Sequence, residues 1–212
     1  MVVARCGRVR TGVHSKSQGG FSLVELLIVL LIVLIISAFA IPNIMLVAAN
    51  VQLRSSAADL AGLMQQARIM AAKDNTTYTI GYSTSSGARF AFLDANNNGA
   101  WQSPEPLAQF GGTVNAAAGA PSGLTGQPPL YVPPGDTGTG TYTNSTTLGF
   151  SPRGFPCAYS AVTTPATCAT PAATSFVYYL SNTRMRGTGW AAVAVSKSGR
   201  TKVVVWNGSA WK

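Results

Sequence analysis

The sequence predicts an α+β protein in which one long N-terminal helix, its first half transmembrane, packs on an antiparallel β-sheet head domain. Three observations support this fold class. Residues 21–41 form an apolar run with a single charge, and residues 42–74 continue it with apolar side chains at helical spacing. Residues 75–212 then alternate between short apolar segments and clusters of Gly, Asn and Ser, a pattern typical of strands joined by turns.

The apolar run from Phe21 to Ile41 predicts a membrane-spanning helix. Its 21 residues would form a helix of roughly 32 Å, close to the ~30 Å apolar thickness of a bilayer. Backbone groups find no hydrogen-bond partner in lipid, so a helix is the expected conformation. The preceding residues carry four basic side chains and no acid: Arg5, Arg8, Arg10 and Lys16. A basic flank of this kind indicates a cytoplasmic N-terminus.

Glu25 is the only charged residue in the apolar run. A carboxylate in this position costs about 2.5 kcal/mol or more, and such residues usually have a partner. The small pair Gly19-Gly20 precedes the run, whereas a secretory signal is cleaved after its apolar region. Cleavage after Gly20 would keep the helix and leave Phe21 as an N-terminal amine close to Glu25. The alternative is that Glu25 lies among the headgroups and contacts water.

Gly20, Phe21, Glu25 and the uninterrupted run to Ile41 resemble the type IV prepilin and pseudopilin family, whose pattern is Gly, Phe, three residues, Glu and an apolar helix. The resemblance implies cleavage between Gly20 and Phe21 by a prepilin peptidase, with N-methylation of Phe21. It also implies that Glu25 pairs with the terminal amine of a neighbouring subunit during filament assembly. Pro42 falls where many pilins carry a helix-kinking proline.

Composition argues against an enzyme. Cys6 and His14 lie in the segment that would be removed, so the mature chain would have no histidine and two cysteines, Cys157 and Cys168. Without histidine, Ser–His and Cys–His nucleophile pairs and His-based metal sites are excluded. Two cysteines are too few ligands for zinc, and in the periplasm they favour a disulfide. The mature chain would keep 11 basic and six acidic side chains, a net charge of +5.

Beyond Pro42 the apolar residues recur at helical spacing and should pack on the head: Ile44, Val47, Val51, Leu60, Leu63, Met64, Ala67 and Met70. The helix, begun at Ser22, should end near Lys73-Asp74-Asn75. Strands are expected at residues 76–82, 88–93, 146–150, 175–180, 190–195 and 200–206. Turns are expected at residues 196–199 and at Asn207-Gly208. The Gly- and Pro-rich residues 112–145 are interpreted as a surface loop with at most a short strand around residues 130–132.

Three segments of the head indicate a particular group within this family: LGFSPRG at 148–154, SFVYYL at 175–180 and VAVSKSGRTKVVVW at 193–206. They are similar to the GspH/FimT group, which comprises the type II secretion pseudopilin H and related fimbrial minor pilins. The group implies a structural subunit that joins other pilin subunits in an envelope filament, either a type II secretion pseudopilus or a type IV pilus.

The expected organisation is a leader at residues 1–20, an inner-membrane helix at 21–41, its amphipathic continuation at 42–74 and a periplasmic head at 75–212. The expected partners are other pilin subunits, the prepilin peptidase and the membrane, and no cofactor is expected apart from weakly bound calcium. The alternative is a plain membrane-anchored binding protein whose leader is not cleaved.

Residues 94–105 fit the spacing of a twelve-residue calcium loop. The ligand positions would be held by Asp94, Asn96, Asn98, the carbonyl of Ala100, Gln102 and Glu105, with Gly99 at the turn. Two carboxylates predict weak affinity. The alternative is a polar hairpin turn in which Asn and Gly supply left-handed backbone.

The C-terminal part of the head carries only positive charge. Residues 150–212 contain seven basic side chains and no acid: Arg153, Arg184, Arg186, Lys197, Arg200, Lys202 and Lys212. Such a surface attracts polyanions such as DNA, and some fimbrial minor pilins of the group act in DNA uptake through a C-terminal Gly-Arg-x-Arg. Here the segment is Gly199-Arg200-Thr201-Lys202, in which Lys keeps the charge without the fork geometry of Arg.

Strand alternation predicts that Arg200 and Lys202 point to one side of the sheet and Thr201 to the other. These two basic residues are therefore the candidate DNA contacts. The alternative is a solvated basic face that keeps the head soluble.

Overall fold

The computed structural model of the chain describes residues 20–83, 89–117, 142–144, 148–160, 167–169, 175–185 and 187–212. Within these ranges the elements are α1 Leu23–Asp74, β1 Tyr78–Ser83, β2 Phe90–Asp94, β3 Leu107–Gln109, β4 Val114–Ala117, β5 Tyr142–Asn144, β6 Leu148–Phe150, β7 Pro156–Ser160, β8 Thr167–Ala169, β9 Ser175–Asn182, β10 Trp190–Val195 and β11 Thr201–Val205. The predicted α+β class, with a long N-terminal helix followed by antiparallel sheets, is confirmed. The chain forms two compact units, residues 1–42 and 43–212.

Helix α1 has the predicted bounds to within one residue. It is 52 residues long and contains Pro42. It ends where Asn75 adopts a left-handed backbone, with φ of 50°, and the Thr76 N–H donates to the Ala71 carbonyl at 3.2 Å. A left-handed residue followed by such a bond is a common helix C-cap, and Asn tolerates this conformation better than most residues.

The face of α1 that packs on the sheets is made largely of small residues. Its buried stripe repeats at steps of three and four: Ala49, Leu53, Ala57, Leu60, Met64, Ala67 and Ala71. The prediction that Ile44, Val47 and Val51 face the head is wrong, because all three are exposed, Val51 by 60%. Alanine lets a helix backbone approach a sheet closely, so the contact face follows the alanines rather than the larger β-branched residues.

The strands form two sheets. The first has the order β3-β2-β1-β6-β7-β8, and every neighbouring pair is antiparallel. The second has the order β11-β10-β9-β4, also antiparallel, and β5 pairs in parallel with the first part of β9. β4 and β5 therefore share one side of β9, while β10 occupies the other.

One hydrophobic cluster lies on each face of the second sheet. The larger joins the α1 stripe to inward-facing residues of both sheets, including Ile80, Leu93, Phe150 and Leu180. The smaller lies on the other face and contains Tyr179, Trp206 and Trp211. The predicted turn at Asn207-Gly208 is present, and it brings Trp211 into a bridge with Trp206. The C-terminal residues thereby cover this outer face.

The short strands β3, β4, β5, β7 and β8 were not predicted from the sequence. The interpretation of residues 112–145 as a loop is wrong at both ends, since β4 and β5 lie there and Val114 is fully buried. Strands of three to five residues rich in Ala, Asn and Thr lack the alternation that marks a strand, and pairing with a neighbouring strand decides their conformation, which for β4 and β5 is β9. The short strand expected around residues 130–132 lies outside the described residues.

Buried polar contacts attach α1 to the strands. The Asn182 side-chain amide at the end of β9 donates to the Ala49 carbonyl at 2.9 Å and is buried. The Gly111 N–H donates to the Ser56 hydroxyl at 3.1 Å. Because a buried donor left without a partner is costly, these bonds fix the position of the helix along the sheets.

Gly81 and Gly62 provide a matched test of this packing. Gly81 lies opposite Phe92, and a Cβ at Gly81 would collide with the buried Phe92 ring. A Cβ at Gly62, in α1, would meet nothing within 4 Å. We expect Gly81→Ala to destabilise the head by about 1–3 kcal/mol and Gly62→Ala to stabilise it by about 0.5–1 kcal/mol. Denaturant unfolding of the detergent-solubilised protein measures both, and equal stability of the two variants would contradict the packing.

Candidate functional site

The residues predicted to be processed lie at the beginning of α1. Gly20 precedes the helix, Phe21 is 84% exposed, and the Leu26 N–H donates to the Ser22 carbonyl at 3.1 Å. Glu25 lies in the first helical turn. The free N–H groups of a first turn carry partial positive charge, so a carboxylate there is stabilised by the helix itself. The cost in lipid, a partner amine and the headgroups were considered from the sequence, but this contribution of the helix was not.

Gly20 is not required by the local structure. A Cβ at this position would meet nothing within 4 Å, and its φ is not in the left-handed region. The local structure would therefore accept alanine at this position. The leader residues 1–19 lie outside the described residues.

The apolar run is exposed along nearly its whole length. Its large side chains from Phe21 to Ile41 are exposed, and none of the most apolar window of α1, with a mean hydropathy of 3.1, is buried. By length and composition this helix is able to cross a membrane. An apolar surface of this size needs a covering of lipid or protein.

Residues 15–41 match the prokaryotic N-terminal methylation motif. The chain carries this motif at its N-terminus. Comparison with curated proteins gives no match. Among solved structures the chain is similar to the type IV minor pilin FimU of Pseudomonas aeruginosa strain PAO1, with 16% identity, a TM-score of 0.43, and coverage of 76% of this chain and 92% of that chain. The methylation motif contains Gly20, Phe21 and Glu25, the three residues singled out from the sequence.

Away from the methylation motif, the predicted disulfide is present. Cys157 in β7 and Cys168 in β8 are joined, with Cα atoms 5.3 Å apart. β8 is an end strand of the first sheet. The disulfide therefore ties this three-residue edge strand covalently to its neighbour β7.

The loop at residues 94–105 uses its carboxylates as acceptors for its own backbone. The buried Asp94 carboxylate accepts the N–H groups of Asn98 at 3.1 Å and Gly99 at 2.7 Å. The Glu105 carboxylate accepts those of Ala95 and Gln102, both at 2.9 Å. These contacts are those expected of a polar turn.

The other predicted ligands take part in the same turn. Asn98 Oδ1 accepts the Ala100 N–H at 2.8 Å, and the Asn96 amide donates to Gln102 Oε1 at 3.1 Å. Gly99 has φ of 76°, the left-handed backbone expected there. Within the part of the chain that the structure describes, no group of three or more His, Cys, Asp and Glu side chains is arranged to hold a metal. Calcium binding stays a prediction.

Trp101 reports on this loop, since its indole N–H donates to the Glu105 carbonyl at 3.0 Å and its ring lies 5.8 Å from that of Phe90. If calcium binds, titration should change the Trp101 fluorescence saturably with a Kd of about 10⁻⁴–10⁻³ M, as for weak extracellular sites. Glu105→Gln should abolish the change, and Trp101→Phe supplies the background of the other tryptophans. A flat titration of the parent protein would contradict calcium binding and leave the loop as a turn.

Two tyrosines carry raised pKa values in the core. The rings of Tyr82 and Tyr178 lie 5.4 Å apart, and the Tyr178 hydroxyl accepts the Leu148 N–H at 3.1 Å. Burial raises the pKa of both hydroxyls well above the usual range. Both therefore stay neutral at physiological pH and contribute packing rather than acid–base chemistry.

The predicted basic pair lies in a cleft between α1 and the β10–β11 hairpin. This basic cleft has a volume of about 440 Å³ and is lined by Gln65, Arg68, Ala194, Ser196, Arg200, Thr201 and Lys202. Arg68 comes from the helix, about 130 residues away in sequence, and was not predicted as a site residue. Among the other predicted basic residues, Arg153, Arg184, Lys197 and Lys212 are not in the lining, and Arg186 lies outside the described residues.

The predicted alternation along β11 is present. Val203 and Val205 pack towards α1, and Val204 belongs to the cluster on the opposite face. Thr201 shares the inward register and its hydroxyl accepts the Gln65 amide at 2.6 Å. Thr201 is thus a contact between helix and hairpin, while Arg200 and Lys202 are exposed.

Proposed function

We propose that this protein is a minor pilin or pseudopilin: a structural subunit of an envelope filament that is inserted in the inner membrane and assembled with other pilin subunits. The observation that carries the proposal is the methylation motif at residues 15–41 on a helix whose apolar half is exposed and whose second half packs on a β-rich head. A single-pass anchor explains the apolar half alone. It does not explain the small Gly20 before the helix or the carboxylate of Glu25 within it.

Processing follows from the position of Gly20. The residue is exposed and lies outside the helix, so a peptidase can reach the Gly20–Phe21 bond without unfolding α1. Hydrolysis of this bond by a prepilin peptidase removes the basic leader and leaves Phe21 as the N-terminal residue, the substrate for N-methylation. The apolar helix stays in the membrane because its insertion depends on the run that follows.

During assembly the apolar helix leaves the lipid and packs against the corresponding helices of other subunits. The helix surface is in an apolar environment both in the membrane and in the filament, so helix packing gains little from the hydrophobic effect. A polar contact therefore has a large effect on the register between helices. Glu25 supplies that contact with the amine of Phe21 on a neighbouring subunit. Pairing relieves the cost of a carboxylate in lipid, which makes the assembled state more favourable than the isolated one.

The head has the features of an exported domain. It contains a disulfide, which persists in oxidising compartments such as the periplasm. Gene neighbours, whether secretion ATPase and secretin genes or pilus genes, would decide between a type II secretion pseudopilus and a type IV pilus.

We predict that the membrane form begins at Phe21. Mass spectrometry of protein from cells with an active prepilin peptidase should show this N-terminus with a methylated amine. Gly20→Ala should slow cleavage without changing the stability of the protein, because the Cβ meets open space. An intact leader in such cells would instead support the alternative of a plain membrane-anchored protein.

We predict that Glu25→Ala leaves the protein stable and membrane-bound but reduces its recovery in filaments by about tenfold or more, since one charge pair in lipid is lost. Asp59→Asn is the matched control, because Asp59 is an exposed carboxylate of the same helix outside the apolar run. Quantitative blotting of sheared filaments against total membrane protein gives the ratio. If Glu25→Ala assembles like the control, Glu25 is only an interfacial residue.

A further inference from the structure

The basic cleft has the composition of an anion site. Its lining includes three cationic side chains and no carboxylate: Arg68, Arg200 and Lys202. Its other polar side chains, Gln65, Ser196 and Thr201, carry an amide or a hydroxyl that is able to donate a hydrogen bond. An environment of donors without a competing carboxylate favours a ligand that consists mainly of acceptor oxygens.

The walls of the cleft are held in place by hydrogen bonds between α1 and the hairpin. Arg68 Nη1 donates to the Gly199 carbonyl at 3.1 Å, which uses one of the five guanidinium donors. Gln65 donates to the Thr201 hydroxyl at 2.6 Å. Both bonds pin the helix side of the cleft to the hairpin, so little ordering is needed when a ligand enters.

The hairpin turn holds the other wall. The buried Ser196 hydroxyl accepts the Arg200 N–H at 3.1 Å, and the Ser196 N–H donates to the Arg200 carbonyl at 2.9 Å. Gly199 has φ of 78°, a conformation that favours glycine. The turn therefore fixes the backbone from which the Arg200 side chain starts.

The volume of the cleft limits the ligand. About 440 Å³ is in the range of small-molecule sites. All three cations line this one cavity, Arg68 from the helix and Arg200 and Lys202 from the hairpin. Arginine pairs bidentately with phosphate oxygens and lysine adds a point charge.

We propose that the basic cleft binds a terminal phosphate group, carried either by a soluble phosphorylated molecule or by a lipid headgroup. A terminal phosphate is a dianion with three free oxygens at neutral pH. A phosphodiester offers one negative charge and two free oxygens. The site lies wholly within the unit of residues 43–212, outside the methylation motif, so it does not depend on the pilin function proposed above.

Calorimetric titration of the full-length protein in neutral detergent with inorganic phosphate tests the site, with sodium chloride at equal ionic strength as the blank. The parent protein should bind phosphate saturably. Arg200→Gln with Lys202→Gln should weaken binding at least about tenfold. The control is Lys197→Gln with Lys212→Gln, which removes the same charge from exposed positions outside the lining and should change the affinity little.

Arg68 requires a conservative variant, because its bond to Gly199 supports the hairpin. Arg68→Lys keeps the charge, loses the fork and should weaken phosphate binding while circular dichroism of the head stays unchanged. Absence of saturable binding to the parent protein, or equal loss in the control pair, would overturn the proposal.

Two further titrations identify the source of the phosphate. If glycerol 3-phosphate binds as tightly as short-chain phosphatidic acid, the ligand is a soluble phosphorylated molecule. If phosphatidic acid binds more tightly, the ligand is a lipid headgroup. Short-chain phosphatidylglycerol is the phosphodiester control. DNA is the competing outcome. The DNA prediction expects the log–log salt slope of DNA binding to fall by about two in the Arg200 and Lys202 double variant. If it does, and if phosphate does not displace the DNA, the terminal-phosphate site is overturned and the DNA prediction is supported.

Discussion

The packing of the second half of α1 against the two sheets is the contact on which the head depends. The helix is apolar all round up to Ile41 and apolar on one stripe beyond Asn43, and that change divides the chain into its two units. A helix that is apolar all round needs an apolar environment on every side, whereas a striped helix needs one packed face and one wet face. The change in composition along the helix therefore suits its first part to an apolar environment and its second part to the surface of the head.

The buried stripe is dominated by alanine, which determines both the closeness and the weakness of the contact. Ala57, Ala67 and Ala71 are fully buried and allow a short distance between helix and sheet, but each buries little apolar area. At about 25 cal/mol per Å² the larger Leu53, Leu60 and Met64 supply most of the burial energy. A shift of one turn along the axis would place Leu53 at an alanine position, so apolar packing opposes such a shift.

Polar contacts add a second restraint on the position of the helix. Asn182 bonds to the Ala49 carbonyl near one end of the packed segment, and Arg68 bonds to the Gly199 carbonyl near the other. A shift of one turn moves each partner by about 5.4 Å and would leave the buried Asn182 amide unpaired, at a cost of roughly 1–3 kcal/mol. Hydrogen bonds thus reinforce the register that the apolar residues set.

The sequence predicted what depends on long local patterns and missed what depends on distant partners. The helix, the β9–β10–β11 meander and its turns were predictable because periodicity extends over many residues and Gly199 and Asn207-Gly208 mark the turns. Ile44 and Val51 were assigned to the wrong face, because periodicity gives a spacing but does not tell which of two stripes is buried. Strand β4 and the role of Arg68 depend on contacts with residues far along the chain, for which a single sequence carries no local signal.

Arg68 also lies against two glycines from separate turns. Gly154, in the turn before β7, and Gly199, in the turn before β11, both have left-handed backbone. A Cβ on Gly199 would lie 3.0 Å from the Gly154 carbonyl oxygen and 3.1 Å from Arg68 Nε, and a Cβ on Gly154 would lie 3.5 Å from Arg68 Cγ. Turns of the two sheets therefore meet the helix at one point, where the left-handed backbone of both turns favours glycine and the close approach at Gly199 leaves little room for a side chain. Because the basic cleft is built on this junction, the helix register that stabilises the head also places the cleft's cations.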